Sequence, residues 1–192
     1  MDKSQLMQSF QLGSEIIPEP DFPLAAPGTP AAILVPILER ETLSVLLTKR
    51  ASHLKHHPGQ VSFPGGRYEK SDVSLAQTAL RESREEIGLK EEQVSIFGRL
   101  PLYRTISFYE ITPFVGLVSE PFEWLPDDNE VDEVFEVPLP FLLDESNYHI
   151  ETISRGNETR QVYFIFWRGH TIWGATASIL KTLSNHLNKN KF

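Results

Sequence analysis

Residues 81 to 89 read Arg-Glu-Ser-Arg-Glu-Glu-Ile-Gly-Leu and follow a Phe-Pro-Gly-Gly turn at 63 to 66. On an α-helix, Glu82, Glu85 and Glu86 fall at spacings i, i+3 and i+4, so all three lie on one face. Like charges at i,i+4 destabilise a helix by a few tenths of a kcal/mol, so something in the fold must offset them. A divalent cation would do so, since Mg²⁺ and Mn²⁺ prefer oxygen ligands. A solvated acidic helix face is the alternative, and the run alone does not decide between the two.

The ends of this helix are predicted from its flanking residues. Ser71 and Asp72 are both N-cap candidates, and Gly88 suits the position just past the last helical residue. Between these ends, apolar residues recur at helical spacing, namely Leu75, Ala76, Ala79, Leu80 and Ile87. We therefore expect a helix that packs one face on a sheet and presents its carboxylates on another.

The segment from Gly66 to Leu89 resembles the Nudix box, the motif of the Nudix hydrolase family. That motif is a glycine, five residues, Glu, seven residues and then Arg-Glu-U-x-Glu-Glu-x-Gly-U, where U is a bulky aliphatic residue. The second half matches this sequence nearly letter for letter. Asp72 stands where the family usually has Glu, eight residues separate it from Arg81, and Ser83 occupies the first aliphatic position. The half of the box that carries the adjacent carboxylates is intact.

Upstream residues narrow the resemblance to one branch of the family. Residues 46 to 51 read Leu-Leu-Thr-Lys-Arg-Ala and are followed by Lys55, Gly59 and the Phe-Pro-Gly-Gly turn. This pattern is similar to the additional signature of the coenzyme A pyrophosphatase branch, and every spacing agrees. Lys55 replaces the Arg of that signature, which keeps the charge but loses the planar fork of a guanidinium group.

Composition is consistent with one compact enzyme domain. A chain of 192 residues with 40% hydrophobic content suffices for a packed core. Zero cysteines exclude disulfides, thiolate zinc sites and a cysteine nucleophile. The net charge of -8 argues against a broad electrostatic contact with nucleic acid. The sequence has no apolar run of 18 residues and no secretory pattern at its start, so we expect no membrane partner and a cytoplasmic location.

The chain divides into an N-terminal arm with a Pro-rich connector at 1–29 and a Nudix domain at 30–192. Hydrophobic patterning predicts strands at 32–38, 43–47, 94–102, 110–118 and 133–137, a helical turn at 141–143, a hairpin of 148–153 with 162–167, and a helix at 175–187. Pro113 predicts an edge strand or a bulge. This order of elements suggests the α/β class, and the resemblance implies the Nudix fold, an α/β/α sandwich with a mixed β-sheet.

The candidate metal ligands lie in the box. We expect Glu82, Glu85 and Glu86 to hold one or more Mg²⁺ or Mn²⁺ ions. A carbonyl group of Gly65 or Gly66 is expected to complete the coordination. Such ions would neutralise a diphosphate and position a water for in-line attack, which are the two requirements for breaking this inert linkage.

The general base has two candidate sources. Within the box it is Glu85 or Glu82, and Arg81 is expected to orient Glu85 by a paired hydrogen bond because it lies four residues earlier. Outside the box, Glu130 matches the place where many Nudix enzymes supply a loop carboxylate. A solvated acidic loop at 127 to 130 is the alternative explanation for that residue.

Substrate contacts are predicted from the branch signature. Arg50 and Lys55 are candidates for phosphate groups, including the 3′-phosphate of coenzyme A, with a surface cation pair as the alternative. His57 belongs to the same loop and is at most a neighbour of phosphate. Three aromatic residues either shape a nucleotide pocket or, more commonly for such residues between strands, belong to the core: Tyr103, Phe108 and Tyr109.

Two functions of different class follow. The first is a metal-dependent hydrolase that cleaves the diphosphate bond of a nucleoside diphosphate derivative, with coenzyme A or its derivatives favoured and ADP-ribose or dinucleotides as competing substrates. The second is an inactive Nudix module that binds a nucleotide as a sensor. The three intact glutamates favour the hydrolase, because a binding pocket has no use for their mutual repulsion. A small nucleotide is the expected partner, and a homodimer is left open.

Overall fold

The computed structural model describes residues 1–11, 16–19, 27–119, 122–155 and 158–189. These residues form the helices α1 (Lys3–Gln11), α2 (Leu75–Ile87), α3 (Leu139–Leu143) and α4 (Gly174–Lys189). The strands in chain order are β1 (Thr29–Leu38), β2 (Ser44–Arg50), β3 (Val61–Ser62), β4 (Gly65–Arg67), β5 (Val94–Arg99), β6 (Tyr103–Arg104), β7 (Tyr109–Val118), β8 (Val131–Pro138), β9 (His149–Arg155), β10 (Glu158–Trp167) and β11 (His170–Trp173).

The main sheet is mixed because β1 has neighbours of both directions. It runs parallel to β7 over its whole length and antiparallel to β4 and β2, which share its other edge. The strand order is β3-β2-β1-β7-β5, with β4 on β1, β6 on β7 and β8 on β2. A second sheet has the order β11-β10-β9. The last eight residues of β1 are all buried, as expected of a strand covered on both faces.

Alternate residues of β1 enter two different cores, which places the main sheet between layers of helices. Ala32 and Leu34 pack with the apolar face of α2. Ile33 and Val35 point to the opposite face and pack with residues of α1, α3 and α4. This period of two along a strand assigns one core to each face of the sheet. The predicted α/β/α sandwich with a mixed β-sheet is confirmed.

Pro113 lies inside β7, between β1 and β5, so the predicted edge strand is wrong. The strand tolerates this proline because the ladder between β5 and β7 ends at the pair Arg99–Phe114, so Pro113 itself is not part of it. The carbonyl group of Pro113 still accepts a hydrogen bond from the N–H of Leu100 at 2.9 Å. A bulge does occur in this region, but it lies in β5 after Ile96 rather than at the proline.

The N-terminal helix and the segment after it pack on the layer that contains α4. Leu6 and Phe10 of α1 are buried in the same core as the leucines of α4. Further along, the carboxylate of Glu19 accepts hydrogen bonds from Tyr163 Oη and Asn185 Nδ2, both at 2.7 Å. The arm is therefore tied to the main body, while its separation from the Nudix domain at residue 29 stays a prediction.

Parts of the predicted connector and of the predicted hairpin turn lie outside the described residues. Most of the Pro-rich connector, at 12–15 and 20–26, lies outside the described residues, as does the centre of the predicted turn at 156–157. The hairpin strands on either side of that turn are present as β9 and β10. The short strands β3, β4, β6 and β11 were not predicted, because two to four residues are too few to show a period.

Candidate active site

The acidic helix α2 begins and ends at specific side chains and turns. Its N-cap is Ser74, whose Oγ accepts a hydrogen bond from the N–H of Gln77 at 3.2 Å, so the prediction of Ser71 or Asp72 as the cap is wrong. Gly88 ends the helix in the left-handed conformation with φ 72°, as predicted, and its N–H bonds the carbonyl group of Arg84. Ser74 and Gly88 therefore define the two ends of the helix.

Asp72 is used for a different purpose. It is buried and accepts hydrogen bonds from Thr78 Oγ1 at 2.8 Å and from Arg81 Nε at 2.9 Å. Nη2 of Arg81 reaches its second oxygen at 3.1 Å, so the guanidinium group binds the carboxylate with two donors. These hydrogen bonds from Arg81 lower the pKa of Asp72 to about 2, against the opposing effect of burial. The one-residue shift of this acid within the box thus leaves it paired with the box arginine.

Arg81 also binds two of the three glutamates. Its Nη1 lies 2.9 Å from Glu82 Oε1 and 3.0 Å from Glu85 Oε2, and its Nη2 donates to the carbonyl group of Arg67 at 3.0 Å. Arg81 therefore lies at the centre of a network that joins the start of the helix, the glycine turn and the carboxylate face. The i,i+4 contact with Glu85 is present, but as a single hydrogen bond; the paired donors that were expected for Glu85 bind Asp72 instead.

The three glutamates differ in their exposure to solvent. The exposed fraction of the side chain is 48% for Glu85, 16% for Glu82 and 4% for Glu86. Burial raises the pKa of Glu86 to about 8, although the positive charge of Arg50 opposes the shift. Burial also raises the pKa of Glu82, and there Arg81 opposes it. A buried carboxylate whose charge is this poorly compensated is what a bound cation would stabilise.

The glycine turn lies directly against this carboxylate face. Gly65 donates its N–H to Glu86 Oε2 at 3.4 Å, and a Cβ on Gly66 would lie 2.5 Å from Cδ of Glu82. Gly65 has φ 152°, and a Cβ there would collide with the main chain of β1 at Ala32. Glycine is required at both positions because the turn approaches its own sheet on one side and the helix carboxylates on the other.

Glu130 is brought to the same place by main-chain hydrogen bonds. The N–H of Asp127 binds the carbonyl group of Glu86 at 3.0 Å, and the carbonyl group of Asp127 accepts the N–H of Glu130 at 2.8 Å. On its other side, the carbonyl group of Glu130 accepts the N–H of Ala51 at 2.8 Å. The charge of Glu130 contributes to the raised pKa of both Glu82 and Glu86, so the loop carboxylate lies within electrostatic range of both.

Of the two predicted substrate cations, only Arg50 contacts the acidic helix. Its Nη1 lies 3.9 Å from Glu86 Oε1 at the end of β2. Lys55 lies in the loop between β2 and β3 and is exposed. His57, in the same loop, shares a hydrogen bond with Gln60 at 2.9 Å between Nδ1 and Oε1. Arg50 is thus part of the carboxylate cluster, whereas Lys55 is a solvent-exposed loop residue.

The three candidate aromatics have different environments. Tyr103 is buried and its hydroxyl group lies 3.3 Å from Oγ of Ser178, so it belongs to the core as the commoner alternative expected. Phe108 is 64% exposed and therefore does not belong to the core. Tyr109 Oη accepts a hydrogen bond from Arg67 Nε at 2.9 Å. The role of Arg67 beside the site was not predicted, because its contact with Arg81 uses a main-chain carbonyl group that no sequence motif identifies.

The donor chemistry of this cluster fits a hard divalent cation. Carboxylate oxygens and the carbonyl groups of the glycine turn are the ligands that Mg²⁺ and Mn²⁺ prefer. Within the described residues, no three His, Asp or Glu side chains are arranged to hold a metal ion as they stand. Arg81 accounts for this arrangement, since it binds one oxygen each of Glu82 and Glu85.

The fold and this cluster define a hydrolase of the Nudix class. The NUDIX domain family matches residues 28–154, and the chain belongs to that family, whose enzymes hydrolyse pyrophosphate linkages in nucleoside diphosphate derivatives. Among curated proteins, the chain is 40% identical over 154 residues to the uncharacterised Nudix hydrolase NudL of Enterobacter sp. (strain 638), covering 80% of each chain. It is 38% identical to the NudL of Yersinia pestis (strain Pestoides F) over 190 residues, covering 96% of this chain and 94% of that protein.

Solved structures agree on the fold. The MutT protein from Methanosarcina mazei Go1 superposes with a TM-score of 0.57 at 19% identity, covering 88% of this chain and all of that one. The Nudix hydrolase RenU from M. smegmatis gives the same TM-score and identity over 85% of this chain and 88% of its own. Among the described residues, no helix is long and apolar enough to cross a membrane.

Proposed function

We propose that this protein is a Mg²⁺- or Mn²⁺-dependent hydrolase that cleaves the diphosphate bond of coenzyme A or its derivatives, giving 3′,5′-ADP and phosphopantetheine. The observation that carries the proposal is the contact between Arg50 and Glu86 at 3.9 Å. It joins the residues that resemble the coenzyme A branch signature to the carboxylate cluster of the box. A cation from the signature is thereby available at the place where an anionic substrate would meet the metal ligands.

In this proposal Glu82, Glu85 and Glu86 hold the metal, with the carbonyl group of Gly66 as a further ligand. The bound ion supplies charge neutralisation at the diphosphate and polarises the attacking water. Arg81 restricts the orientation of Glu82 and Glu85, because both accept hydrogen bonds from its Nη1. Rotation of these carboxylates towards an ion would leave the pair of Arg81 with Asp72 intact.

We assign the general base to Glu130. Glu82 and Glu85 each give an oxygen to Arg81. Within the described residues, by contrast, the Glu130 side chain forms no hydrogen bond or ion pair, so it is available to accept a proton from water. Its main chain is held on both sides by the bonds to Asp127 and Ala51. The main chain of this base is thus held in place, and general-base catalysis typically contributes about 10²- to 10⁴-fold in rate.

The reaction is tested by product analysis over a panel of coenzyme A, ADP-ribose, NADH and diadenosine compounds, with Mg²⁺ and Mn²⁺ in separate assays. Coenzyme A should be cleaved with the highest kcat/KM, and chelation should stop turnover. Glu86→Gln should abolish activity, whereas the exposed Glu92→Gln just after the helix should not. Cleavage of ADP-ribose with coenzyme A untouched would contradict the branch assignment, and no cleavage of any compound would favour the binding module.

The substrate cations are tested with coenzyme A and its 3′-dephospho form as a matched pair. If Arg50 or Lys55 binds the 3′-phosphate, Arg50→Ala or Lys55→Ala should raise KM for coenzyme A by about tenfold, the loss of one charged hydrogen bond. KM for dephospho-coenzyme A should not change. Arg99→Ala, on the exposed side of β5, is the control cation. Equal effects on both substrates would place these cations elsewhere on the substrate.

A further inference from the structure

The loop that precedes β8 is fastened to the last turn of α2 without the use of side chains. Leu125 donates its N–H to the carbonyl group of Ile87 at 2.9 Å, and Asp127 donates to Glu86 at 3.0 Å. These two bonds satisfy carbonyl groups that a helix end otherwise leaves without partners. Residues 125 and 127 are therefore held by their main chain next to the carboxylate face.

The turn that follows is closed by both the side chain and the carbonyl group of Asp127. Oδ1 of Asp127 accepts the main-chain N–H of Asn129 at 2.9 Å and its side-chain Nδ2 at 2.7 Å. The carbonyl group of Asp127 accepts the N–H groups of Glu130 at 2.8 Å and Val131 at 2.9 Å. Asp127 thus accepts four hydrogen bonds, two at its side chain and two at its carbonyl group, and they set the path of the chain between the helix and Glu130.

We propose that Asp127 is a positioning residue for the reaction: its side chain closes the turn that aims Glu130 at Glu82 and Glu86. This inference rests on the proposed function, in which Glu130 accepts the proton of the attacking water. Asp127 itself has no part in the chemistry. Its carboxylate is used within the turn, and its main-chain N–H already binds the helix.

The expected size of the effect follows from how the turn is held. Removing Oδ1 leaves the Asn129 N–H to water, while the main-chain bonds of Asp127 to Glu86 and Glu130 remain. The loop therefore stays attached to α2, but the turn at Asp127–Asn129 is no longer closed by a side-chain hydrogen bond. A misplacement of about 1 Å in a catalytic group costs on the order of 100-fold in rate. We expect Asp127→Ala to lower kcat by about 10- to 100-fold with KM within about threefold of wild type.

The experiment is a double-mutant cycle on kcat of the full-length enzyme, using whichever compound of the substrate panel has the highest kcat/KM. It compares wild type, Asp127→Ala, Glu130→Gln and the double variant. Asp127→Asn retains an oxygen acceptor in the turn and should restore most of kcat. Asp144→Ala is the matched control, because Asp144 Oδ1 accepts Ser146 N–H and Oγ in the same way after α3.

If Asp127 acts through Glu130, Asp127→Ala should lower kcat by less than about threefold in the Glu130→Gln background. An equal cost in both backgrounds would make Asp127 a general structural residue and overturn the inference, as would a wild-type kcat for Asp127→Ala. In either case a large loss in Glu130→Gln alone would leave the proposed base intact. A wild-type kcat for Glu130→Gln would overturn the base and the inference together, while loss of activity in Glu86→Gln would still support the metal site.

Discussion

Gly66→Ala tests whether the position of the Glu82 carboxylate, rather than the stability of the fold, governs turnover. A Cβ on Gly66 would lie 2.5 Å from both Cδ and Oε1 of Glu82. Because carbon atoms in contact are separated by about 3.5 Å or more, the carboxylate must retreat by about 1 Å. A displacement of that size costs on the order of 100-fold in rate, or about 2.7 kcal/mol of transition-state stabilisation.

The stability of the same variant should change little. The obstacle to the new methyl group is the end of a flexible side chain, so we expect a loss of about 1 kcal/mol in the free energy of unfolding. Gly65→Ala provides the contrast, because its Cβ would meet the main chain of Ala32, which cannot move away, and about 3 kcal/mol should be lost. Gly169→Ala, where nothing lies within 4 Å of the new Cβ, is the control for glycine removal at φ 87°.

The assay combines steady-state kinetics at saturating Mg²⁺ with thermal unfolding of each variant. Gly66→Ala should keep a melting temperature within a few degrees of wild type, with KM nearly unchanged and kcat about 100-fold lower. Gly169→Ala should lower the melting temperature through backbone strain at φ 87° but should keep full kcat. A Gly66→Ala enzyme with wild-type kcat would refute the reasoning, because it would show that Glu82 can move by that distance without consequence.

Three further outcomes are expected. Arg81→Lys should lower the free energy of unfolding by about 2 kcal/mol, since an ammonium group cannot bind both oxygens of Asp72 and still reach Glu82, and a wild-type urea midpoint would contradict this. In the presence of chelator, Glu86→Gln should raise the melting temperature by an amount that grows from pH 5 to 9. The unfolded carboxyl group ionises above 4.5 but the folded one only above about 8, so the wild type loses stability in that window; a gain independent of pH would argue against the raised pKa. Glu19→Ala should cost about 2 kcal/mol with kcat unchanged, because the hydroxyl group of Tyr163 loses its acceptor, and an unchanged urea midpoint would show that this contact does not hold the arm.

The sequence predicted one end of the acidic helix better than the other. Gly88 was identified because its left-handed conformation is an intrinsic preference of glycine. At the other end, Ser71, Asp72 and Ser74 are all suitable caps by type. The choice of Ser74 depends on Asp72 being engaged by Arg81, nine residues further along the chain. The propensities of the residues near the helix end do not reveal a tertiary pairing of this kind.

The site shows the same division between local and long-range information. The carboxylates of Glu82, Glu85 and Glu86 follow from helical spacing alone. The depth of Glu86 and its nearness to Arg50 depend on the sheet, which brings the end of β2 to the helix. The position of Glu130 depends on main-chain hydrogen bonds of the preceding loop. No sequence motif predicts the hydrogen bonds that Asp127 makes in this loop. The interior place of Pro113 likewise required knowing where β5 ends.

The central pairing of the main sheet has a consequence for how the chain is made. Thr29 faces Tyr109 and Leu38 faces Val118, so partners in this ladder are about 80 residues apart in the chain. During synthesis, the apolar stripe of the acidic helix therefore leaves the ribosome well before the strand that completes the surface beneath it. The nascent chain must keep a long hydrophobic run at 31–38 unpaired on one side until residue 118 has emerged. Slow, aggregation-sensitive refolding at high protein concentration is the expected signature of that delay.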